Sequence, residues 1–290
     1  MKTWDKLKRR FAGTAFLAPS LIGVAVFYII PFMVVISYSM IDGLLSKNFV
    51  FLDNFKAVLN NTAFRNAAKN TAAFSAAAVP LAVALSLGLA LLLDMKIPLR
   101  TQFRTFFLSP MMVPVASIVL IWQVVFHYNG VLNEFFTALG YDKIDWLKSD
   151  KGQIVVIVLF LWKNLGYNMI LFLAALNNLP NDLLEVATME GAGAVYKFFN
   201  IKLRYLSPTI LFVGILSLIN SFKVFREVYL LTGDYPYGPL YMLQHYMNNT
   251  FKSLNYQRLS AAAVIMALVM VLIIGALLLI EDRFGKDIEG

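Results

Sequence analysis

The sequence predicts an all-α polytopic membrane protein with about six transmembrane helices. Three observations predict it. Hydrophobic residues make up 59% of the chain and charged residues 14%, with a mean hydropathy of +0.69, which is too apolar to surface a soluble domain of 290 residues. Six apolar runs are long enough to cross the hydrocarbon core, which takes about 20 residues of helix. Lys and Arg stand in short blocks beside those runs, the distribution that fixes membrane orientation.

The first run, roughly 12–38, follows Lys6, Lys8, Arg9 and Arg10. It is longer than the apolar core of a signal peptide, about 7–15 residues, and Pro19 and Pro31 bend it, so it reads as a retained helix. The second to sixth runs lie at roughly 70–93, 104–126, 153–176, 206–225 and 259–281. With six spans, the N-terminal block, then Lys96, Arg100 and Arg104, then Lys197, Lys202 and Arg204, then Arg283 and Lys286 fall on one side, which is therefore cytoplasmic. Lys47, Lys56, Lys143, Lys148, Lys252 and Arg258 fall in the longer opposite loops, so the bias is moderate. The expected division is a cytoplasmic basic segment at 1–11, one transmembrane domain at 12–281 and a cytoplasmic tail at 282–290, with both termini inside.

Between the fourth and fifth runs lies a polar island. Pro180 precedes Asn181 and Asp182, either of which can cap a short helix, and Asp182 and Glu185 put negative charge on its first turn. Gly191 and Gly193 stand where that helix must end or approach another backbone, and Ala187 and Ala192 keep it slim. On physical grounds alone this reads first as an ordinary capped interfacial helix with no partner.

The order Glu185-Val186-Ala187, Gly191, then Ile201, Leu203 and Pro208 resembles the E-A-A-x-x-x-G, I-x-L-P loop of ABC importer permeases. The tract Leu231-Thr232-Gly233-Asp234, Gly238-Pro239, Leu243, Tyr246, Phe251 and Ser260-Ala261-Ala262 is similar to the one before the last helix of carbohydrate permeases, and Phe16-Leu17-Ala18-Pro19-Ser20 to their first helix. Val186, Arg204 and Asp234 depart from the pattern. The resemblance implies a type I importer domain of the bacterial cytoplasmic (inner) membrane whose loop, 177–205, forms a cytoplasmic coupling helix seated in an ATPase groove. Glu185, Ala187, Glu190, Gly191 and Ala192 would make that contact. It also implies a second permease subunit, two ATP-binding subunits holding ATP and Mg²⁺, and an extracytoplasmic solute-binding protein, with no cofactor bound by this chain.

Other chemistries are excluded or weak. The formal charge of +8 is dispersed in blocks rather than gathered with a nucleic-acid-reading motif, so no nucleic-acid partner is expected. No cysteine is present to form a disulfide or a thiolate metal site. Gly191-Ala192-Gly193 lacks the lysine of a phosphate-binding loop, so ATP hydrolysis belongs to another chain. His127 and His245 lack metal or triad spacing and read as solvated or hydrogen-bonded residues of external loops. No catalytic or metal site is expected.

Polar side chains within the spans are costly unless they face protein or water. Asn164, Tyr167 and Asn168 share one face of the fourth helix, and Ser217, Asn220 and Ser221 one face of the fifth. They line a substrate pathway, as corresponding stretches of maltose-type permeases do, or they join helix to helix for about 0.6 kcal/mol each. Lys163 needs water or an anion, because a cation mid-span costs about 2.5–3.5 kcal/mol on insertion scales. A carboxylate of the partner permease, an acidic cargo, or snorkelling into a cavity each meets that need, and Lys223 and Arg226 look nearer the surface. The expected function is ATP-driven import of a sugar or oligosaccharide by alternating access. The alternatives are a permease for glycerol phosphate, polyamine or another non-sugar solute, and an ATP-independent secondary transporter or channel.

Overall fold

The computed structural model describes residues 17–43, 46–95 and 97–285, side chains excepted at 181 and 283–285. Lys6, Lys8, Arg9, Arg10, Phe16, Lys96, Lys286, the 1–11 segment and most of the 282–290 tail lie outside the described residues, as does the side chain of Arg283.

The described chain is helical, with one isolated bridge between Ile41 and Phe49. The helices in order are α1 (Leu17–Ser39), α2 (Asp53–Asn60), α3 (Thr62–Asp94), α4 (Arg100–Met112), α5 (Val115–Phe126), α6 (Val131–Ala138), α7 (Gly152–Asn177) and α8 (Asn181–Met189). Then come α9 (194–205), α10 (Ser207–Lys223), α11 (Phe225–Thr232), α12 (Leu243–Lys252) and α13 (Tyr256–Gly285). Six segments among the described residues are long and apolar enough to cross a membrane: α1, α3, α5 with α6, α7, α10 with α11, and α13.

Four of the expected runs emerge as single helices and two do not. The third run, 104–126, breaks into α4 and α5. Pro114 has no N–H to give and forces Val113 into an extended conformation (φ −84°, ψ 131°). The fifth run ends at Lys223, and after the joint at Val224 a further helix continues to Thr232. The second helix starts eight residues before its apolar run, because Thr62–Lys69 is helical although too polar to register as membrane. Near Pro31, α1 relaxes into a π turn at Ala25–Ile29, closed by the Ile30 N–H donating to the Ala25 carbonyl.

The chain separates into two compact units, Met1–Asn61 with Met247–Val269, and Thr62–Tyr246 with Met270–Gly290. In the first, the turn after α1 is tied by Asp42, which accepts from Ser46 Oγ (2.6 Å), Asn48 N (3.0 Å) and Asn48 Nδ2 (3.0 Å). These bonds, the one from Ser46 foremost, hold its carboxyl below the usual carboxylate range. Asn54 Nδ2 on α2 donates to the carbonyls of Ser39 and Ile41 and pins the two helices.

The second unit is built on α3 and α7. Ala78, Ala82, Ser86 and Ala90 recur every four residues on α3, all fully buried, forming a small-residue stripe that lets helices pack closely. One core cluster joins Phe74, Ala78 and Ala82 to Val156 and Phe160 of α7 and to Val224 and Val228. A second joins Ala90 and Leu93 to Met169, Phe172, Leu173 and Leu176 of α7 and to Leu206 and Val213. Gly166 sits where α4 crosses α7. A Cβ there would lie 3.0 Å from Leu108 N and much closer to the Phe107 carbonyl, so the crossing requires glycine.

The connection 127–150 folds around Asn133, which is fully buried. Its Nδ2 donates to the carbonyls of Tyr128 (2.8 Å) and Ile144 (2.7 Å), and its Oδ1 accepts from Ile144 N (3.2 Å) and Trp146 Nε1 (3.0 Å). One amide thereby organises a loop in which Trp146 packs edge on against Phe126 of α5 and tilted against Phe136.

Candidate functional site

A cavity of about 840 Å³ opens among α7, α10 and α11, and falls within the range of about 300–1,000 Å³ usual for small-molecule sites. Three devices shape it. The turn Gly238–Leu240 is stapled to α3 and α7: Asn70 Nδ2 donates to the carbonyls of Gly238 (2.8 Å) and Tyr241 (2.9 Å), and Gln153 Nε2 to those of Asn70 (3.2 Å) and Pro239 (3.0 Å). Thr71 Oγ1 accepts from Leu243 N (2.9 Å), which starts α12 and brings Gln244 to the cavity wall. The break after Met112 leaves Met111 on the same wall.

The predicted pathway residues divide. Lys163, Asn164, Tyr167 and Asn220 line the cavity. Asn220 Nδ2 donates to Asn164 Oδ1 (3.1 Å), and Asn164 Nδ2 to the Phe160 carbonyl (2.8 Å), so this pair joins α10 to α7 while staying at the wall. Asn168, Ser217 and Ser221 are buried elsewhere. Asn168 Nδ2 donates to Ser217 Oγ (3.0 Å), and Ser221 Oγ lies 2.8 Å from Ser75 Oγ of α3. These three hold helices together and do not reach the cavity.

Lys163 finds its anion within its own chain: it forms an ion pair with Glu227 Oε1 of α11. No foreign carboxylate is therefore needed to pair it, and its side chain also reaches the cavity, as the snorkelling alternative has it. Glu227, which sequence reasoning missed, is 5% exposed, and its Oε2 has no hydrogen-bond partner. Lys223 and Arg226 also line the cavity. His245 is corrected. It is fully buried within α12, its ring against Phe225 and Tyr241 and its Nδ1 accepting from Met242 N (3.3 Å). Burial lowers its pKa to about 4, opposed by the charge of Asp234. His127 is an exposed loop residue whose Nδ1 accepts from Asn129 N (3.2 Å), as expected.

The polar island forms α8. Pro180 occupies the N-cap and no side chain caps the helix, so Asp182 does not serve as the cap, and the Asn181 side chain lies outside the described residues. Asp182 does stand in the first turn. The helix closes with paired bonds, Gly191 N to the Thr188 carbonyl (3.1 Å) and Ala192 N to the Ala187 carbonyl (2.8 Å), across Gly191 at φ +82°. Ala187 is buried, whereas Glu185, Glu190, Leu183, Val186 and Met189 are exposed. A groove of about 470 Å³ between α8 and α9 is lined by Asp182, Val186, Ala187, Glu190, Tyr196 and Arg204, among others. Nearby, Asp94 at the end of α3 meets both Arg100 (3.9 Å) and Lys202 (3.7 Å).

α8 is thus a short helix between two spans, α7 and the pair α10 with α11, that share the cavity. Residues 82–289 match the family described as binding-protein-dependent transport system inner membrane component. The chain belongs to that family. This permease is 30% identical over 279 residues to the probable ABC transporter permease protein YesP of Bacillus subtilis, covering 94% of this chain and 90% of that protein. It is 32% identical over 126 residues to the arabinooligosaccharides transport system permease protein AraP of Halalkalibacterium halodurans, covering 41% and 40%. Its fold matches a bacterial ABC transporter involved in the import of the acidic polysaccharide alginate, with TM-score 0.79 over the whole of both chains at 22% identity. The permease is thus a multi-pass membrane transport subunit and not an enzyme.

Proposed function

We propose that this permease moves a saccharide across the membrane by alternating access. It works with a second permease subunit, two ATP-binding subunits that hold ATP and Mg²⁺, and an extracytoplasmic solute-binding protein. The observation that carries the saccharide reading is the cavity wall, where the amides of Asn164, Asn220 and Gln244 stand among the rings of Phe160, Tyr167, Phe225 and Tyr229. A pyranose offers hydroxyls at its edge and apolar C–H groups on its faces, so such a wall replaces water around both. The relative named for arabinooligosaccharides supports the same cargo class.

The 177–205 loop is the coupling element in this reading. Glu185 and Glu190 meet basic groups of the ATPase, Ala187 keeps α8 seated on its own chain, and Gly191 with Ala192 turns the backbone back toward the membrane. Residues 12–281 act as one transmembrane domain, with both termini and α8 in the cytoplasm, in keeping with the basic blocks. The assembled transporter in proteoliposomes tests the proposal. Glu185→Lys abolishes ATP-dependent uptake while the chain still inserts, and Asn164→Ala, Tyr167→Ala and Asn220→Ala each lower saccharide uptake at least tenfold with the ATPase still bound. Wild-type uptake by Glu185→Lys refutes the coupling role, and wild-type uptake by all three cavity variants refutes the pathway.

A further inference from the structure

The cavity wall holds more positive charge than a neutral cargo needs. Lys163, Lys223 and Arg226 line it, and Glu227 is its one carboxylate. Glu227 is committed to Lys163. Among the described residues, Lys223 and Arg226 form no ion pair. They stand three residues apart on either side of the joint at Val224, one in the last turn of α10 and the other in the first turn of α11, and both side chains are exposed. A cleft with low-dielectric walls and an excess of one charge concentrates ions of the opposite sign. Both cations belong to the apolar span Ser207–Thr232, and no ion pair among the described residues employs them.

We propose that the cavity takes an anionic saccharide, whose carboxylate is met by Arg226 and Lys223 while its rings lie along Tyr167 and Phe225. The proposal rests on the saccharide reading and narrows it. Arginine's planar fork matches a carboxylate with two parallel N–H bonds, and lysine adds a compact charge. Lys163, whose side chain is 31% exposed, remains paired with Glu227, so the uncompensated positive charge of the wall is that of Lys223 and Arg226.

The test uses the complete transporter with its own binding protein in proteoliposomes. The probes are oligosaccharide digests of galacturonan and mannuronan, the same digests after reduction of their carboxylates to alcohols, sn-glycerol 3-phosphate and spermidine. ATPase stimulation and uptake are read for each. The expected result is stimulation by an acidic digest at least tenfold above its reduced counterpart. The apparent KM for that digest rises at least tenfold in Lys223→Gln/Arg226→Gln and returns to within threefold in Lys223→Arg/Arg226→Lys, with equal recovery of the assembled complex. Equal response to the reduced digests, or an unchanged KM in the doubly neutral variant, overturns the anionic cargo and leaves the saccharide reading standing. Response to sn-glycerol 3-phosphate or spermidine alone overturns both, and response to none of the probes overturns the anionic saccharide.

Discussion

The ion pair between Lys163 and Glu227 predicts an asymmetric response to its removal. Glu227's side chain is 7% exposed and that of Lys163 31%, so each partner left alone meets a different environment. Lys163→Met strands a buried carboxylate whose second oxygen already has no partner, and removing one member of a buried pair costs about 3–5 kcal/mol. Glu227→Gln leaves an ammonium that keeps the cavity's water, so its cost is roughly 1–2 kcal/mol, that of one charged hydrogen bond in partial contact with solvent. The double variant removes both charges, and replacing a whole pair is often near neutral, so it is expected within about 1 kcal/mol of wild type. The coupling energy from this cycle is then about 3 kcal/mol or more. Unfolding titrations of the purified chain in mixed micelles measure all four forms. A larger loss for Glu227→Gln than for Lys163→Met, or additive single losses, refutes the assignment of burial to the carboxylate.

Other expectations follow from packing and titration. Gly166→Ala drives α4 off α7 at Phe107, and overpacking of this kind costs about 1–3 kcal/mol or more; a lowered melting temperature of the assembled complex checks it, and an unchanged one contradicts the close crossing. His245 has a folded-state pKa of about 4 against an ordinary 6.5, so the folded state disfavours its charged form. Stability is then unaffected above pH 6.5, falls as pH drops from 6.5 toward 4, and levels off below that, by up to about 3 kcal/mol. Thermal unfolding across that window measures the fall, and His245→Phe removes it.

Much of the fold was legible because hydropathy reports on lipid directly. The runs that became α1, α3, α7 and α13 are unbroken and apolar, and the glycine that ends α8 announced itself by spacing. The split of the third run was also written in the chain, since Pro114 is a plain signal, but apolar content masked it. The cavity was only half legible. Asn164 and Asn168 lie one turn apart on the same face of α7, and periodicity separates faces of a helix without saying where along it a void begins. The partner of Lys163 was illegible for a different reason: Glu227 lies 64 residues away, and no local rule connects two charges across an intervening loop. His245 sits among polar residues that read as a wet loop, and only the rings of Phe225 and Tyr241 closing over it make it dry.

The alanine and serine stripe on α3 has a mechanical consequence. Side chains this short have little or no rotamer freedom to lose when buried, and they leave little compliant material between α3 and α7. Packed this closely, the two helices form one strut, about 50 Å long at 1.5 Å per residue along the 33 residues of α3, with Pro80 inside it. Asp94, grasped by Lys202 beyond α8, stands at one end of that strut, and Asn70, which holds the turn above the cavity, stands toward the other. A shift of α3 as a body therefore moves the Asp94 contact and the cavity turn together, and Pro80, between them, is the place where bending would uncouple the two.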